Sequence, residues 1–559
     1  MDHMETYRYW LKQKSLDKAM KEELERMDEP AIKEAFYRDL SFGTGGLRGI
    51  MGPGTNRINR FTIRRATAGF ADYILENGYE GCVPISYDNR TNSQAFAREA
   101  AMVLAAKGID AYVFAELRPT PMLSYAVRYL SAAGGIMITA SHNPKAYNGF
   151  KVYNRTGAQI SLKEAAAITD SIEKIDDPFG IAVADNERIH AIGDDLEKNY
   201  FQRVQSISLN EVEKDAKIVY SSLHGTGGPV IPKLLESSGY LVHPYEPHMP
   251  ADPDFTNTDS ANPEDAIAFE KPIAYAEKIG ADLIMLTDPD ADRLGIAVRH
   301  DDRYVLLNGN ETVSIMLDYL LEQRKRKGEL TLPARVYQTI VTTDLIERIA
   351  ASHGVTVIRT LTGFKFIGER IEADEGKAEY IFGCEESYGS LIAPFVRDKD
   401  AVQAVYLLAE IVNYYKADNK TLLDQLEEIH ERFGHHREET ISLTYQGIAG
   451  SKRIERIMRY FRDNLPDIQG IELIGYEDYQ KGVRHLEGKE ERIDLPSANV
   501  LKYYYRGDTW VVLRPSGTEP KLKVYFATRK KTRDDARITI QRLKQVVINI
   551  IESLGEKQS

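Results

Sequence analysis

With 559 residues, 43% of them apolar and 28% charged, the chain has the composition of an ordinary globular protein of three to five domains. A net charge of −12 argues against general nucleic-acid binding but leaves room for an anionic small molecule held by a local Arg/Lys cluster. No run of about 18 apolar residues offers a membrane span, the start MDHMETYRYW lacks the apolar core of a secretory leader, and two cysteines, Cys82 and Cys384, suit a reducing cytoplasm.

The opening reads as helix over 15–27 and 30–40, followed by the glycine-dense loop Phe42–Gly49. Strands at 83–88, 111–115 and 135–140 then alternate with helices at 94–108 and 121–130, a βαβαβ order that predicts a mainly parallel sheet. The pattern restarts with a strand at 217–222, a helix from about Pro229, a helix over 264–280 and a strand at 281–287. It restarts again with strands at 335–341 and 355–360 and a long apolar helix over 401–416. The last segment differs: close-set strands at 501–505, 509–515 and 523–529 precede an amphipathic helix over 533–554. This predicts three α/β domains (1–205, 206–328 and 329–445) and a smaller α+β domain (446–559).

Four stretches carry chemistry. Thr139–Pro144 follows the strand at 135–140, so Ser141 lies where a nucleophile can be displayed, with Lys151 close behind; on this segment alone a polar turn is the better reading. Asp288, Asp290 and Asp292 follow an apolar strand at every second position, and in an extended loop they project to one side. Clustered carboxylates call for a hard divalent cation. An EF-hand is excluded because its positions 6 and 12 hold Arg293 and Arg299. Gly383–Gly389 offers Glu385, Glu386 and Ser387 to sugar hydroxyls, with a polar turn as an equal alternative, and Cys384 reads as a packing residue. Arg514–Lys521 combines Arg, Ser, Thr and Lys with flexible backbone N–H groups, which favours a phosphate cradle over a plain turn. Walker A, H-E-x-x-H and G-x-G-x-x-G sequences are absent. Together the four stretches suggest phosphoryl transfer on a polyhydroxylated phosphate ester in a cleft between domains.

In order and over nearly the whole chain, these stretches resemble the α-D-phosphohexomutases, the phosphoglucomutase/phosphomannomutase family. The resemblance implies four domains around a central cleft, three α/β with mixed sheets and a small C-terminal α+β domain. It implies a phosphorylated Ser141. It also implies Mg²⁺ held by Asp288, Asp290 and Asp292 with the Ser141 phosphoryl oxygen, and Arg48 and Lys151 beside the transferring group. His142 belongs with the catalytic group and Arg293 with the substrate ligands. Lys365, Glu385 and Ser387 would bind the sugar, and Arg514, Ser516, Gly517 and Thr518 the non-reacting phosphate. Lys399, in the Arg397–Asp400 stretch, matches a general acid/base.

The 42–49 loop and the Arg397–Asp400 stretch resemble the glucose/pentose-type branch, although close relatives carry Tyr where Cys384 stands. Glu386 at the centre of its triplet, where glucosamine-type members carry Gln, demotes that sugar. The implied reaction interconverts glucose 1-phosphate and glucose 6-phosphate through bound glucose 1,6-bisphosphate. Phosphomannomutase, phosphopentomutase and bisphosphate-synthase activities stand as alternatives, with a non-catalytic sugar-phosphate binder behind them. The expected partner is a hexose phosphate, with no nucleic acid or membrane, for a cytoplasmic monomer or homodimer.

Overall fold

A computed structural model of the chain describes residues 2–445, 447–517 and 520–555. The described chain divides into two compact units, residues 1–337 with 363–423, and residues 338–362 with 424–559.

The first unit holds two large mixed sheets. In the six-stranded sheet, Gly134–Ile138, Val83–Tyr87, Ala111–Phe114 and Ile189–Ile192 run parallel. Tyr147–Asn154 and Leu47–Ile50 extend it antiparallel from one edge. The βαβαβ reading therefore holds for its centre, and the antiparallel edge is what makes the sheet mixed. Strands 83–87 and 134–138 are buried throughout, which is why they read as continuous apolar runs. Their core gathers Phe70, Ile85, Ile136, Ile138 and Phe150. The five-stranded sheet repeats the plan. Leu283–Thr287, Lys217–Ser221 and Leu241–Pro244 run parallel, and Leu294–His300 and Arg303–Leu307 are antiparallel.

The stretch at 264–280 is not one α-helix: a 3₁₀ turn over Ala266–Phe269 leads into the helix Glu270–Ile279. Pro272, in the first turn of that helix, needs no N–H partner there. The helix Ala401–Lys416 matches its sequence reading. The Asp400 side chain accepts the Gln403 N–H at its start, and the helix is buried almost throughout, so it reads apolar all round. Glu379–Cys384 pairs antiparallel with Ser390–Leu391 beside it in sequence.

The second unit is built on a seven-stranded antiparallel sheet. Its order is His435–Thr444, Lys521–Lys530, Thr509–Pro515, Leu501–Tyr505, Leu473–Asp478, Val483–Leu486, Lys489–Arg492. The helices Gly447–Asp463 and Arg533–Ser553 close a core of Ile457, Phe461, Tyr503, Leu513, Phe526 and Leu543. Among the described residues no helix is long and apolar enough to cross a membrane.

Candidate active site

Two loops at the carboxyl ends of buried strands meet in the first unit. One leaves Gly134–Ile138 and carries Ser141; the other leaves Leu283–Thr287 and carries the aspartates. Ser141 has φ +51°, a left-handed conformation that costs an L-residue about 1–2 kcal/mol. The loop holds it there. The Ser141 N–H donates to Thr139 Oγ1 at 2.8 Å, and Thr139 Oγ1 donates to Asp88 Oδ2 at 2.6 Å. The Arg90 guanidinium donates to the carbonyls of Ser141, Asn143, Pro144 (2.9 Å) and Tyr147 (3.1 Å), and Asp88 lies 3.2 Å from its Nε. Arg48 donates to Asn143 Oδ1 at 2.9 Å. Gly149 lets the neighbouring strand close in, because a Cβ there would sit 2.4 Å from the Thr139 carbonyl oxygen.

Ser141 Oγ donates to Asp288 Oδ2 at 2.8 Å. His142 Nδ1 is 3.4 Å from the same hydroxyl, a long contact. The aspartates converge through a tight turn rather than the extended loop expected from their spacing. Ala291, at φ +50°, donates its N–H to the Asp288 carbonyl at 2.9 Å, and Asp288 Oδ1 accepts the N–H groups of Asp292 (3.1 Å) and Arg293 (3.0 Å). Thr120 fixes Asp290 from the serine-bearing domain, its N–H and Oγ1 each donating at 2.9 Å.

All three carboxylates are buried, and their donor atoms lie within 4.8 Å of one another. Burial and the charges of Asp290 and Asp292 push Asp288 well above the usual carboxylate range. Burial acts the same way on Asp290, but Lys151, 2.7 Å away, holds it below that range. Asp290 Oδ1 and Asp292 Oδ1 are buried without a hydrogen-bond partner. Three hard oxygen donors, two of them orphaned in a dry pocket, fit a divalent cation of the magnesium type.

Lys399 Nζ lies 3.2 Å from Asp292 and 3.6 Å from Asp398. Burial opposes its charge, but Asp292, Asp398 and Glu385 outweigh it and hold the ammonium above its ordinary value. Gly389 leaves room for the Lys399 side chain, since a Cβ there would meet its Cδ at 2.0 Å. Glu385 is buried and accepts the Gly363 N–H at 2.9 Å; Ser387 is half-buried. The Tyr388 carbonyl accepts the Leu294 N–H at 3.0 Å, tying this loop to the strand after the aspartates. Lys365 Nζ donates to Thr44 Oγ1 in the early glycine-dense loop. Arg293 is ion-paired with Glu264; burial opposes its charge, but Glu264, Asp292 and Asp288 raise its pKa. Cys384 is fully buried, and burial pushes its thiol up, as a packing residue requires.

In the second unit, Arg514 and Ser516 are half-buried and Gly517 is exposed. Ser516 N–H donates to the Lys521 carbonyl at 2.7 Å, closing the turn between two paired strands. Thr518 lies outside the described residues. The sequence reading missed Asp88, Arg90 and Thr120. The signal for the first two was present, since Asp88-Asn89-Arg90 follows a buried strand at the sheet end where the serine loop sits.

The chain matches the phosphoglucomutase/phosphomannomutase α/β/α domains I, II and III over residues 39–179, 198–301 and 308–433, and the C-terminal domain of the same family over 478–538. A phosphoglucomutase of Staphylococcus epidermidis is 39% identical over 532 residues, covering 92% of this chain and 95% of that protein. One of Staphylococcus aureus is 38% identical over 535 residues, covering 94% and 96%. The open form of the Paramecium phosphoprotein pp63/parafusin shares the fold, with a TM-score of 0.69 at 18% identity over 93% of this chain and 96% of that one. Four domains matched in order, with relatives this close over nearly the full length, show that the chain belongs to the phosphoglucomutase/phosphomannomutase family and is a phosphohexomutase, an enzyme of the isomerase class.

Proposed function

We propose that this enzyme interconverts glucose 1-phosphate and glucose 6-phosphate by way of a phosphoserine at Ser141. The observation that carries the reading is the placement of the Ser141 hydroxyl 2.8 Å from Asp288, within a buried cluster of three aspartates whose counter-charges are Lys151 and Lys399. The phosphoglucomutase relatives at 38–39% identity favour glucose as the sugar.

In the proposed cycle the free hydroxyl oxygen of the bound hexose phosphate attacks phosphorus. The new P–O bond forms as the Ser141 Oγ–P bond breaks, and the product is a bound hexose bisphosphate. The bisphosphate turns over and returns its other phosphoryl group to Ser141. Such transfer depends on positioning and charge neutralisation more than on covalent chemistry by the protein. Asp288, Asp290 and Asp292 would hold Mg²⁺, which would supply charge neutralisation for the phosphoryl group. Arg48 and Lys151 act on the same charge from the protein side. The proton of the attacking hydroxyl ends on the departing Ser141 oxygen. Lys399, charged at rest, relays it by giving up its own proton and taking the hydroxyl's, so that it ends the transfer as it began; the return transfer runs the same exchange in reverse. His142 orients the serine. Glu385, Ser387, Lys365 and Arg293 recognise the sugar, and Arg514, Ser516, Gly517 and Thr518 hold the phosphate that does not react.

The decisive variant is Ser141→Ala. Mutase turnover is expected to fall on the order of 10⁴-fold or more, as when a nucleophile is deleted, with circular dichroism unchanged. Turnover close to wild type sinks the proposal. In the same assay, kcat/KM on glucose 1-phosphate should exceed that on mannose 1-phosphate and ribose 1-phosphate.

A further inference from the structure

Besides the aspartate loop of the first unit, the second unit holds another cluster of metal-ligating groups. Glu427 and His430 stand three residues apart on the helix Leu422–Phe433, hence on one face. The helix ends at Phe433, Gly434 turns the chain at φ +90°, and His435 opens the strand His435–Thr444. Donor atoms of Glu427, His430 and His435 thereby come within 4.8 Å of one another, with His435 Nδ1 3.9 Å from Glu427 Oε1.

His430 is only 7% exposed, and its Nδ1 and that of His435 are both shielded from solvent with no hydrogen-bond partner. Buried polar atoms are normally satisfied, so two orphaned ring nitrogens in one cluster call for a missing partner. His248, another buried histidine, shows the ordinary solution: both its ring nitrogens are engaged, by Ser221 Oγ at 2.9 Å and the Asn257 carbonyl at 2.9 Å. Glu427 Oε2 accepts from Arg533, which fixes the carboxylate and leaves Oε1 turned to His435. The neighbouring His436 points to the other side of the strand and caps its own turn at the Gly434 carbonyl, 3.0 Å away.

We propose that Glu427, His430 and His435 form a binding site for a transition-metal ion of the Zn²⁺ class, separate from the magnesium-type aspartate loop. Two imidazoles and one carboxylate are a Zn²⁺ donor set, whereas Mg²⁺ selects oxygen ligands. Three protein donors leave one position for water, and Glu427 is open enough to solvent to admit an ion. The bound ion ties the end of the helix to the first residue of the strand.

The test uses the full chain, stripped with EDTA and returned to excess Mg²⁺, then titrated with Co²⁺ as a visible-absorbing stand-in for Zn²⁺. One equivalent should bind with d–d absorption, be displaced by Zn²⁺, and persist in Asp290→Asn. His435→Gln and Glu427→Gln, both at partly exposed side chains, should each weaken Co²⁺ binding at least about tenfold. Zn²⁺ should raise the melting temperature of the wild-type protein but not of His435→Gln. Undiminished Co²⁺ binding in both His435→Gln and Glu427→Gln overturns the proposal, as does loss of all binding in Asp290→Asn or no saturable binding in the wild type.

Discussion

The aspartate loop and the Arg514 loop both present polar side chains between strands, in opposite physical settings. Asp288, Asp290 and Asp292 are buried and tied by the Thr120 side chain, by two backbone N–H groups and by Lys151. Arg514 and Ser516 are half-exposed, and Arg514 makes no ion pair among the described residues. On the proposed function, the difference follows from what each loop would have to do. A group that stabilises developing charge acts most strongly when it is desolvated and fixed beforehand. A loop that must take up and release phosphate keeps its donors within reach of water.

Asp290→Asn should separate the two settings most sharply. It removes an anionic donor from the dry cluster and should lower kcat by at least about 100-fold, the scale of several kcal/mol of lost charge stabilisation. EDTA should abolish wild-type turnover and Mg²⁺ restore it; full turnover in metal-free buffer would reduce the aspartates to a structural turn. Arg514→Ala should cost about 2–4 kcal/mol in kcat/KM for glucose 1-phosphate, the size of a lost charge-assisted contact, while slow hydrolysis of the phosphoserine by water stays unchanged. An unchanged kcat/KM would make that loop a plain strand connection.

Arg90 probes how much pre-organisation matters behind the serine. A lysine cannot span the four carbonyls that the guanidinium holds, so Arg90→Lys should lower kcat about 10–100-fold with little change in KM. A change confined to KM would contradict the role given to Arg90.

The smallest effect tests burial without a counter-charge. Asp400 is as buried as the aspartate loop, and burial pushes its pKa from 3.8 up to about 6 against the hydrogen bonds from the Gln403 N–H and Tyr200. Between those values the folded chain binds more protons than the unfolded one. Stability therefore falls as pH rises through that window and is level above it, by at most about 3 kcal/mol. Asp400→Asn should raise the melting temperature by a few degrees at pH 7–8 and lose that gain near pH 4. A pH-independent difference would place the effect in packing instead.

Features written in one stretch of sequence were legible. The helix Ala401–Lys416 announced itself by a long, mostly apolar stretch, and the aspartate loop by three carboxylates after a buried strand. The hidden features depend on partners far along the chain. Arg90 reaches carbonyls 51–57 residues away, and Thr120 reaches Asp290 across 170 residues. The positive φ of Ala291, which turns spacing into convergence, has no glycine to signal it. The strands Val483–Leu486 and Lys489–Arg492 went unread because neither is buried, so the apolar alternation that marks a strand is missing.

The most direct test of the account is the phosphoryl group itself. Wild-type protein charged with radiolabelled glucose 1,6-bisphosphate, then digested and mapped, should carry one label on the peptide containing Ser141, and the label should pass to added glucose 1-phosphate within a turnover time. Label at another residue, or label on Ser141 that does not move to the sugar, would contradict the account.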